Sequence, residues 1–209
     1  INKPHRVVIG KELRRRVAMF FHVLFSFTGI VIGFFLSWKI GLINVFSVGL
    51  LWLYSNQLKR LPFIGNFSVA LLTGISIYIV HFLFPAGQTL VLAYSAFAFS
   101  FTMIREIIKD MEDVKGDTAF GCRTMPVIWG IRRTKWVIYG LSVLFVLTLG
   151  VMSYYYVGPD LALLSVGLIL PLAYLAYRLS KADTVREFGF LSKYCKYIML
   201  LGILSMALF

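Results

Sequence analysis

Apolar residues along this chain gather into long runs, which short polar or basic segments separate. A helix needs about 20 apolar residues to cross a bilayer core of about 30 Å. Seven runs approach that length, and the connections near Lys39 and Gly158 are short enough to predict antiparallel hairpins. The pattern predicts an all-α fold, a multi-span transmembrane helical bundle in one domain over residues 1–209. The predicted spans are approximately residues 17–38, 41–56, 63–84, 89–108, 134–157, 160–178 and 194–209.

Composition supports a protein that is integral to the membrane and crosses it several times. Hydrophobic residues make up 59% of the chain and charged residues 14%, whereas soluble domains are roughly 45–50% apolar. The formal net charge of +12 could indicate nucleic acid as a partner. However, the basic residues punctuate apolar runs and form no separate stripe, so we expect no nucleic-acid binding.

The distribution of lysine and arginine predicts the orientation of the bundle. If the seven runs alternate in direction, Lys39 is the one basic residue on its side of the membrane, and the other 20 of 21 lie opposite. The positive-inside rule places the basic side in the cytosol. We therefore predict a cytosolic active face, because the main cluster of acidic residues lies on that same side.

The segment from Arg105 to Arg123 contains five of the nine acidic residues. If the preceding helix continues through it, Glu106, Asp110, Asp113 and Asp117 share one helix face. Carboxylates on one face repel, so they need a bound cation or basic partners. A divalent metal beside lysines and arginines is suited to phosphate oxygens, and the apolar body favours a lipid diphosphate as the ligand.

Three stretches resemble motifs of the UbiA superfamily of intramembrane prenyltransferases. Asp110-x-x-Asp113-x-x-x-Asp117, followed by Gly121, Arg123, Thr124 and Pro126, resembles its second aspartate-rich motif. The residues around this motif are similar to the branch that contains digeranylgeranylglyceryl phosphate synthases. Asn2-Lys-Pro4-His-Arg6 with Gly10 resembles the segment after the first aspartate-rich motif, and Tyr54 to Arg60 with Gly65-Asn66 resembles the basic corner.

The resemblance implies a nine-helix bundle, of which this chain would supply seven spans. The first aspartate-rich motif, Asn-Asp-x-x-Asp-x-x-x-Asp, would end just before Ile1, so we expect an amino-terminal truncation that removes the first two helices. Tyr54 and Lys59 are five residues apart, whereas much of the family spaces them four apart. The role of Tyr54 therefore stays open.

The resemblance also implies a reaction, the Mg²⁺-dependent transfer of an isoprenyl group from a polyprenyl diphosphate to a hydrophobic acceptor. The implied acceptor is a lipid, geranylgeranylglyceryl phosphate, and the alternative is an aromatic acceptor such as 4-hydroxybenzoate. A catalytically incomplete fragment that only binds membrane lipid is a further alternative. The implied metal-binding and catalytic residues are Asp110, Asp113 and Asp117, and the implied diphosphate-binding residues are Arg6, Tyr54, Lys59, Arg60 and Arg123.

Two other interpretations compete with this one. The aspartates could form a solvated loop that pairs with Lys109 and Lys115, although the spacing and flanking residues favour metal binding. A transporter would carry acidic residues in the middle of its spans, and none is present there.

Cys122 and Cys195 are too few for a disulfide framework, so we expect free thiols.

Overall fold

The computed structural model describes residues 14–85, 88–155 and 159–206, without the side chains of residues 155–166. Arg6 lies outside the described residues. All regular secondary structure within these ranges is helical, which confirms the predicted fold class. Short 3₁₀ helices cover Leu58–Arg60 and Ile79–Phe82. The α-helices are α1 (Arg15–Leu36), α2 (Trp38–Asn56), α3 (Ile64–Tyr78), α4 (Gln88–Ala119), α5 (Met125–Tyr155), α6 (Pro159–Lys181) and α7 (Val185–Ser205).

Each predicted span corresponds to one helix, but three helices extend past the apolar runs. Helix α4 continues through the acidic segment to Ala119, α5 already begins at Met125, and α7 begins at Val185. Polar residues can occupy these outer turns because they project beyond the hydrophobic part of each helix. By length and composition, α1 to α5 could each cross a membrane, with the third of these segments running from Ile64 to Phe82.

The chain divides into two compact units, residues 1–56 and residues 57–209. The first contains α1 and α2, which form the antiparallel hairpin that the sequence predicted. The Asn44 side-chain amide donates a hydrogen bond of 2.8 Å to the carbonyl oxygen of Gly29. Since Ser37 alone separates the two helices, Lys39 lies inside α2 rather than in a linker.

Helix α4 is the central helix of the second unit. It packs against α3, α5 and α7, and Phe101, Ile104 and Ile107 on it are fully buried. The Tyr94 hydroxyl lies 3.0 Å from the Ser205 hydroxyl, which adds a polar contact between α4 and α7. Because neighbouring helices surround α4, its acidic end lies next to the ends of those helices.

A close approach of backbone fixes the corner before α3. A Cβ atom on Gly65 would lie only 2.6 Å from the carbonyl oxygen of Leu58, so this position needs glycine. The first turn of α3 therefore packs directly against the 3₁₀ helix that carries Lys59 and Arg60. The resemblance of Tyr54 to Asn66 to the family's basic corner includes this glycine.

Helix α4 ends in a Schellman motif at Gly121. The φ angle of Gly121 is +67°, a left-handed conformation that favours glycine. The Cys122 N–H donates to the carbonyl oxygen of Asp117 at 2.9 Å, and the Gly121 N–H donates to that of Thr118 at 3.2 Å. This turn reverses the chain and brings the residues before α5 back towards the end of α4.

Candidate active site at the acidic end of α4

Asp110 accepts a hydrogen bond from a buried amide on another helix. The distance from Asn66 Nδ2 to Asp110 Oδ2 is 2.8 Å, and Asn66 is 8% exposed in the first turn of α3. Asp110 is also near enough to Asp117 and Glu106 for the carboxylates to repel one another. The Asn66 amide fixes the orientation of a carboxylate that the neighbouring negative charges would otherwise displace.

Asp117 has an equivalent donor on the opposite side of the loop. The Thr124 hydroxyl donates to Asp117 Oδ2 at 3.1 Å, and Thr124 is buried just before α5. The left-handed turn at Gly121 makes this contact possible, because it folds the chain back within one helical turn. Two carboxylates of the predicted site are thus each oriented by a buried polar side chain from a different element.

Two of the basic residues predicted for the site, Arg60 and Arg123, come together through the backbone. The Arg123 N–H donates to the carbonyl oxygen of Arg60 at 2.8 Å, which joins the loop after α4 to the corner before α3. The side chains of Arg60, Arg123 and Lys59 are exposed. Cationic side chains therefore flank the same helix end that carries Asp110 and Asp117.

Glu106 has basic partners of its own. It accepts from Arg105 and forms an ion pair with Lys109, whose Nζ lies 3.6 Å from Glu106 Oε2. Asp113 is partly buried on the same helix, one turn beyond Asp110. Tyr54 lies in α2, within the first unit.

The donor set of the site can be compared with what Mg²⁺ requires. Among residues 14–85, 88–155 and 159–206, no three His, Cys, Asp or Glu side chains form a group that could hold a metal by themselves. Mg²⁺, however, is usually bound through one or two carboxylates plus substrate phosphates, rather than in a cage made only of protein. Two oriented aspartates with hard oxygen donors fit that mode of binding.

Asn66 is the main residue of the candidate site that the sequence-based site prediction omitted. The residue was noticed only as part of the Gly65-Asn66 pair in the basic corner. A carboxamide in the first turn of an apolar helix was the available signal, since a buried amide needs a polar partner. The identity of that partner, Asp110, depends on how α3 and α4 pack.

The fold and the site together define a class of protein, a helical membrane enzyme whose polar site lies at one end of an apolar bundle. Residues 1–203 match the model of the UbiA prenyltransferase family. The chain belongs to this family, whose members are integral membrane proteins and metal-dependent enzymes.

Archaeal proteins are among the similar sequences. Digeranylgeranylglyceryl phosphate synthase of Methanosphaera stadtmanae is 29% identical over 213 residues, which span 100% of this chain and 76% of that protein. The Thermococcus sibiricus synthase is 29% identical over 211 residues, covering 100% of this chain and 74% of its own length. The Pyrococcus horikoshii synthase is 36% identical over 135 residues, which are 64% of this chain and 48% of that protein.

Two solved structures share the fold. A structure described as digeranylgeranylglyceryl phosphate synthase in membranes has a TM-score of 0.65 and 25% identity, covering 98% of this chain and 73% of that one. A UbiA homologue from Archaeoglobus fulgidus bound to Cd²⁺ has a TM-score of 0.70 and 18% identity, covering 96% of this chain and 76% of that one.

Proposed function

We propose that this protein transfers an isoprenyl group from a polyprenyl diphosphate to a glyceryl phosphate lipid, with geranylgeranylglyceryl phosphate as the acceptor. The observation that carries the proposal is the pairing of Asp110 with Asn66 and of Asp117 with Thr124 beside Arg60 and Arg123. The names of the similar archaeal proteins support the choice of a glyceryl phosphate acceptor.

The acidic residues would anchor the diphosphate end of the donor. Asp110, Asp113 and Asp117 would hold Mg²⁺, which when bound supplies charge to neutralise the diphosphate oxygens. Asn66 and Thr124 hold two of these carboxylates in one orientation, so little reorganisation is needed when a substrate arrives.

The basic residues would stabilise the leaving group. Lys59, Arg60 and Arg123 have exposed cationic ends, which can approach a diphosphate from the side of the 3₁₀ helix and the loop after α4. In the reaction the allylic C–O bond breaks, its electron pair stays on the diphosphate, and the acceptor hydroxyl forms the new C–O bond and loses its proton. Arg6 and Tyr54 remain proposed contributors to diphosphate binding.

The test is Mg²⁺-dependent release of diphosphate from geranylgeranyl diphosphate by the purified protein in lipid nanodiscs. We expect release that depends on geranylgeranylglyceryl phosphate, and no release when 4-hydroxybenzoate is the acceptor. The variant D110N/D113N/D117N should lose at least about a thousandfold in activity, which is a typical effect of removing electrostatic stabilisation from a transition state.

Two results would contradict this proposal. Turnover by the triple variant at the wild-type rate would exclude the aspartates from the chemistry. Preferential prenylation of 4-hydroxybenzoate would replace the lipid acceptor with an aromatic one.

A further inference from the structure

An exposed row of aromatic rings and cations runs along the end of α6. Tyr174, Tyr177, Arg178 and Lys181 occupy positions i, i+3, i+4 and i+7 of this helix, so they share one face. All four side chains are exposed. Because the rings precede the cations along the helix, the face changes from aromatic to cationic towards the end of α6.

Two aromatic residues of α7 extend this surface. The Arg178 guanidinium lies 5.2 Å from the centroid of the Phe190 ring. The rings of Tyr174 and Tyr194 meet edge-on with 5.2 Å between their centroids, and Phe190 stacks on Tyr194 at 6.4 Å. These six residues form one continuous surface across two helices, which we call the α6–α7 face.

The rings hold the cations of the α6–α7 face in place. Lys181 donates to the Tyr177 hydroxyl at 2.6 Å, and its Nζ lies 4.4 Å from the centroid of the same ring. A lysine ammonium has three N–H donors, so this bond leaves donors for an anion. A cation that is already held by an aromatic ring loses less side-chain entropy when it binds a ligand.

The cationic end of the α6–α7 face carries an excess of positive charge. Asp183 is already paired with Lys135 at 3.0 Å. Glu187 is close enough to attract Arg178, but its carboxylate also accepts the hydrogen bonds that cap α7. Four basic and two acidic residues lie at this end, namely Lys135, Arg178, Lys181, Arg186, Asp183 and Glu187. The positive charge that remains favours an anionic ligand.

The α6–α7 face is separate from the candidate active site, although it lies at the same end of the second unit. A Cβ atom on Gly189, next to Phe190, would lie 3.3 Å from Glu112 Oε1, so α7 packs against the Glu112 side of α4. Asp110 precedes Glu112 by two residues and therefore projects in nearly the opposite direction from α4.

The order of residues on the α6–α7 face matches the layers of a bilayer surface. Tyrosine and tryptophan rings favour the level of the lipid headgroups and the adjoining hydrocarbon, whereas lysine and arginine favour the outer, charged layer. The positive-inside rule places this end at the cytosolic leaflet, whose anionic lipids attract basic side chains. Lipid is therefore the ligand whose charge and shape fit both parts of the face.

We propose that the α6–α7 face binds an anionic lipid of the bilayer, with the headgroup phosphate at Arg178 and Lys181. Phosphate oxygens accept from guanidinium and ammonium groups in charge-assisted hydrogen bonds. The first part of the hydrocarbon chain lies against Tyr174, Phe190 and Tyr194. This inference goes beyond the proposed function, because the lipid bound here is not a substrate.

The experiment counts the lipids that stay on the protein in native mass spectrometry, after release from nanodiscs of equal parts phosphatidylglycerol and phosphatidylcholine. We expect the wild type to retain phosphatidylglycerol preferentially. R178Q/K181Q should lower its apparent affinity for phosphatidylglycerol at least about tenfold, because two cations near the bilayer surface are removed. R178Q and K181Q alone should each cause a smaller loss, so the test does not depend on one variant.

The matched control is K193Q/K196Q. It removes the same charge from two exposed positions of α7 that are not part of the α6–α7 face. We expect this variant to retain phosphatidylglycerol as the wild type does. Inorganic phosphate should displace the lipid poorly, because it cannot contact the rings.

Four results would overturn the inference. Equal losses in R178Q/K181Q and K193Q/K196Q would show that only net charge matters. Equal retention of the two lipids by the wild type would exclude recognition of the headgroup. Displacement by inorganic phosphate at concentrations equal to those of the lipid would indicate an anion site without a lipid. A wild-type dimer that R178Q/K181Q converts to a monomer would show that a second copy of the chain covers the face.

Discussion

At the residue scale, the site depends on side chains that orient other side chains. Asn66 and Thr124 are both buried, and each donates to one aspartate. A hydrogen bond to a charged group contributes about 1.5–3 kcal/mol, and loss of the donor would leave the acceptor partly buried without it. These two residues should therefore affect the orientation of the aspartate carboxylates as well as the stability of the site.

The substitution N66L tests this role. Removing the amide should lower the affinity for Mn²⁺, used as a probe for Mg²⁺, by about 10- to 100-fold, as is typical of residues that orient metal ligands. Electron paramagnetic resonance of free Mn²⁺ measures the affinity without any turnover. The control is S68A on the same helix, since the hydroxyl of buried Ser68 donates to the carbonyl oxygen of Ile64 within α3. Equal affinities in N66L and S68A would contradict a positioning role for Asn66.

At the element scale, the ends of the helices determine where the polar residues lie. The Schellman motif at Gly121 returns the chain to Asp117, and Gly65 allows α3 to contact the basic 3₁₀ helix. At the other loop, Thr184 caps α7, where the Thr184 hydroxyl accepts from the Glu187 N–H while the Glu187 carboxylate accepts from the Thr184 N–H. The Schellman motif and the cap of α7 are local hydrogen-bond patterns that do not depend on the membrane.

We expect G121A to destabilise the protein by about 1–2 kcal/mol, because alanine in the left-handed conformation brings Cβ too close to a carbonyl oxygen. Thermal unfolding in detergent measures the loss, and Mg²⁺-dependent activity should fall with it as Thr124 moves away from Asp117. The control G140A lies within α5 with no atom near the added Cβ, so it should be neutral or stabilising by up to about 1 kcal/mol. A G121A protein with the stability of G140A would exclude the strained turn.

The cap of α7 should make stability depend on pH. Hydrogen bonds from the Asp183 N–H, the Thr184 hydroxyl and the Thr184 N–H lower the pKa of Glu187 from 4.5 to about 2. Since the folded pKa is the lower one, the stabilisation is present above pH 4.5 and is lost as the pH falls towards 2.

The variant E187Q lacks this titration and is the natural comparison. The difference in melting temperature between wild type and E187Q should be largest above pH 5 and should shrink as the pH approaches 3. T184A, which keeps the carboxylate and the two backbone donors, should retain part of the dependence. A constant difference across this range would show that the capping hydrogen bonds do not lower the pKa of Glu187.

At the scale of the whole molecule, the second unit carries the site at one end of its helices, and the described residues at the other end of this unit carry little charge. Lys59, Arg60 and Arg123 lie with Asp117 at the first end, while Pro85 follows α3 at the opposite end. The positive-inside rule predicts that the end with the site faces the cytosol.

Thiol labelling in intact cells tests this orientation. Cys122 is partly exposed beside the site and Cys195 is buried, so Cys122 should be the thiol that reacts. We expect a membrane-permeant maleimide to label the wild type and an impermeant one to leave it unlabelled. In P85C, the impermeant reagent should label the introduced cysteine from outside. Labelling of Cys122 by the impermeant reagent would reverse the predicted orientation.

Sequence alone determined the class of the fold and predicted the acidic and basic residues of the candidate site. Long apolar runs can hardly form anything but membrane helices, since backbone polar groups within a bilayer must be satisfied inside each segment. The aspartate spacing placed its residues on one helix, and α4 does continue through Ala119. The predicted starts of α5 and α7 differ from the observed ones, because the first turns of these helices are polar. Hydropathy does not identify such turns.

Only the tertiary structure decided which distant residues meet. Asn66 donates to Asp110, which lies 44 positions further along the chain. Arg60 and Arg123 are joined by a backbone hydrogen bond, which the types of their side chains do not predict. Such contacts depend on the packing of helices against one another, whereas hydropathy and spacing describe each helix by itself.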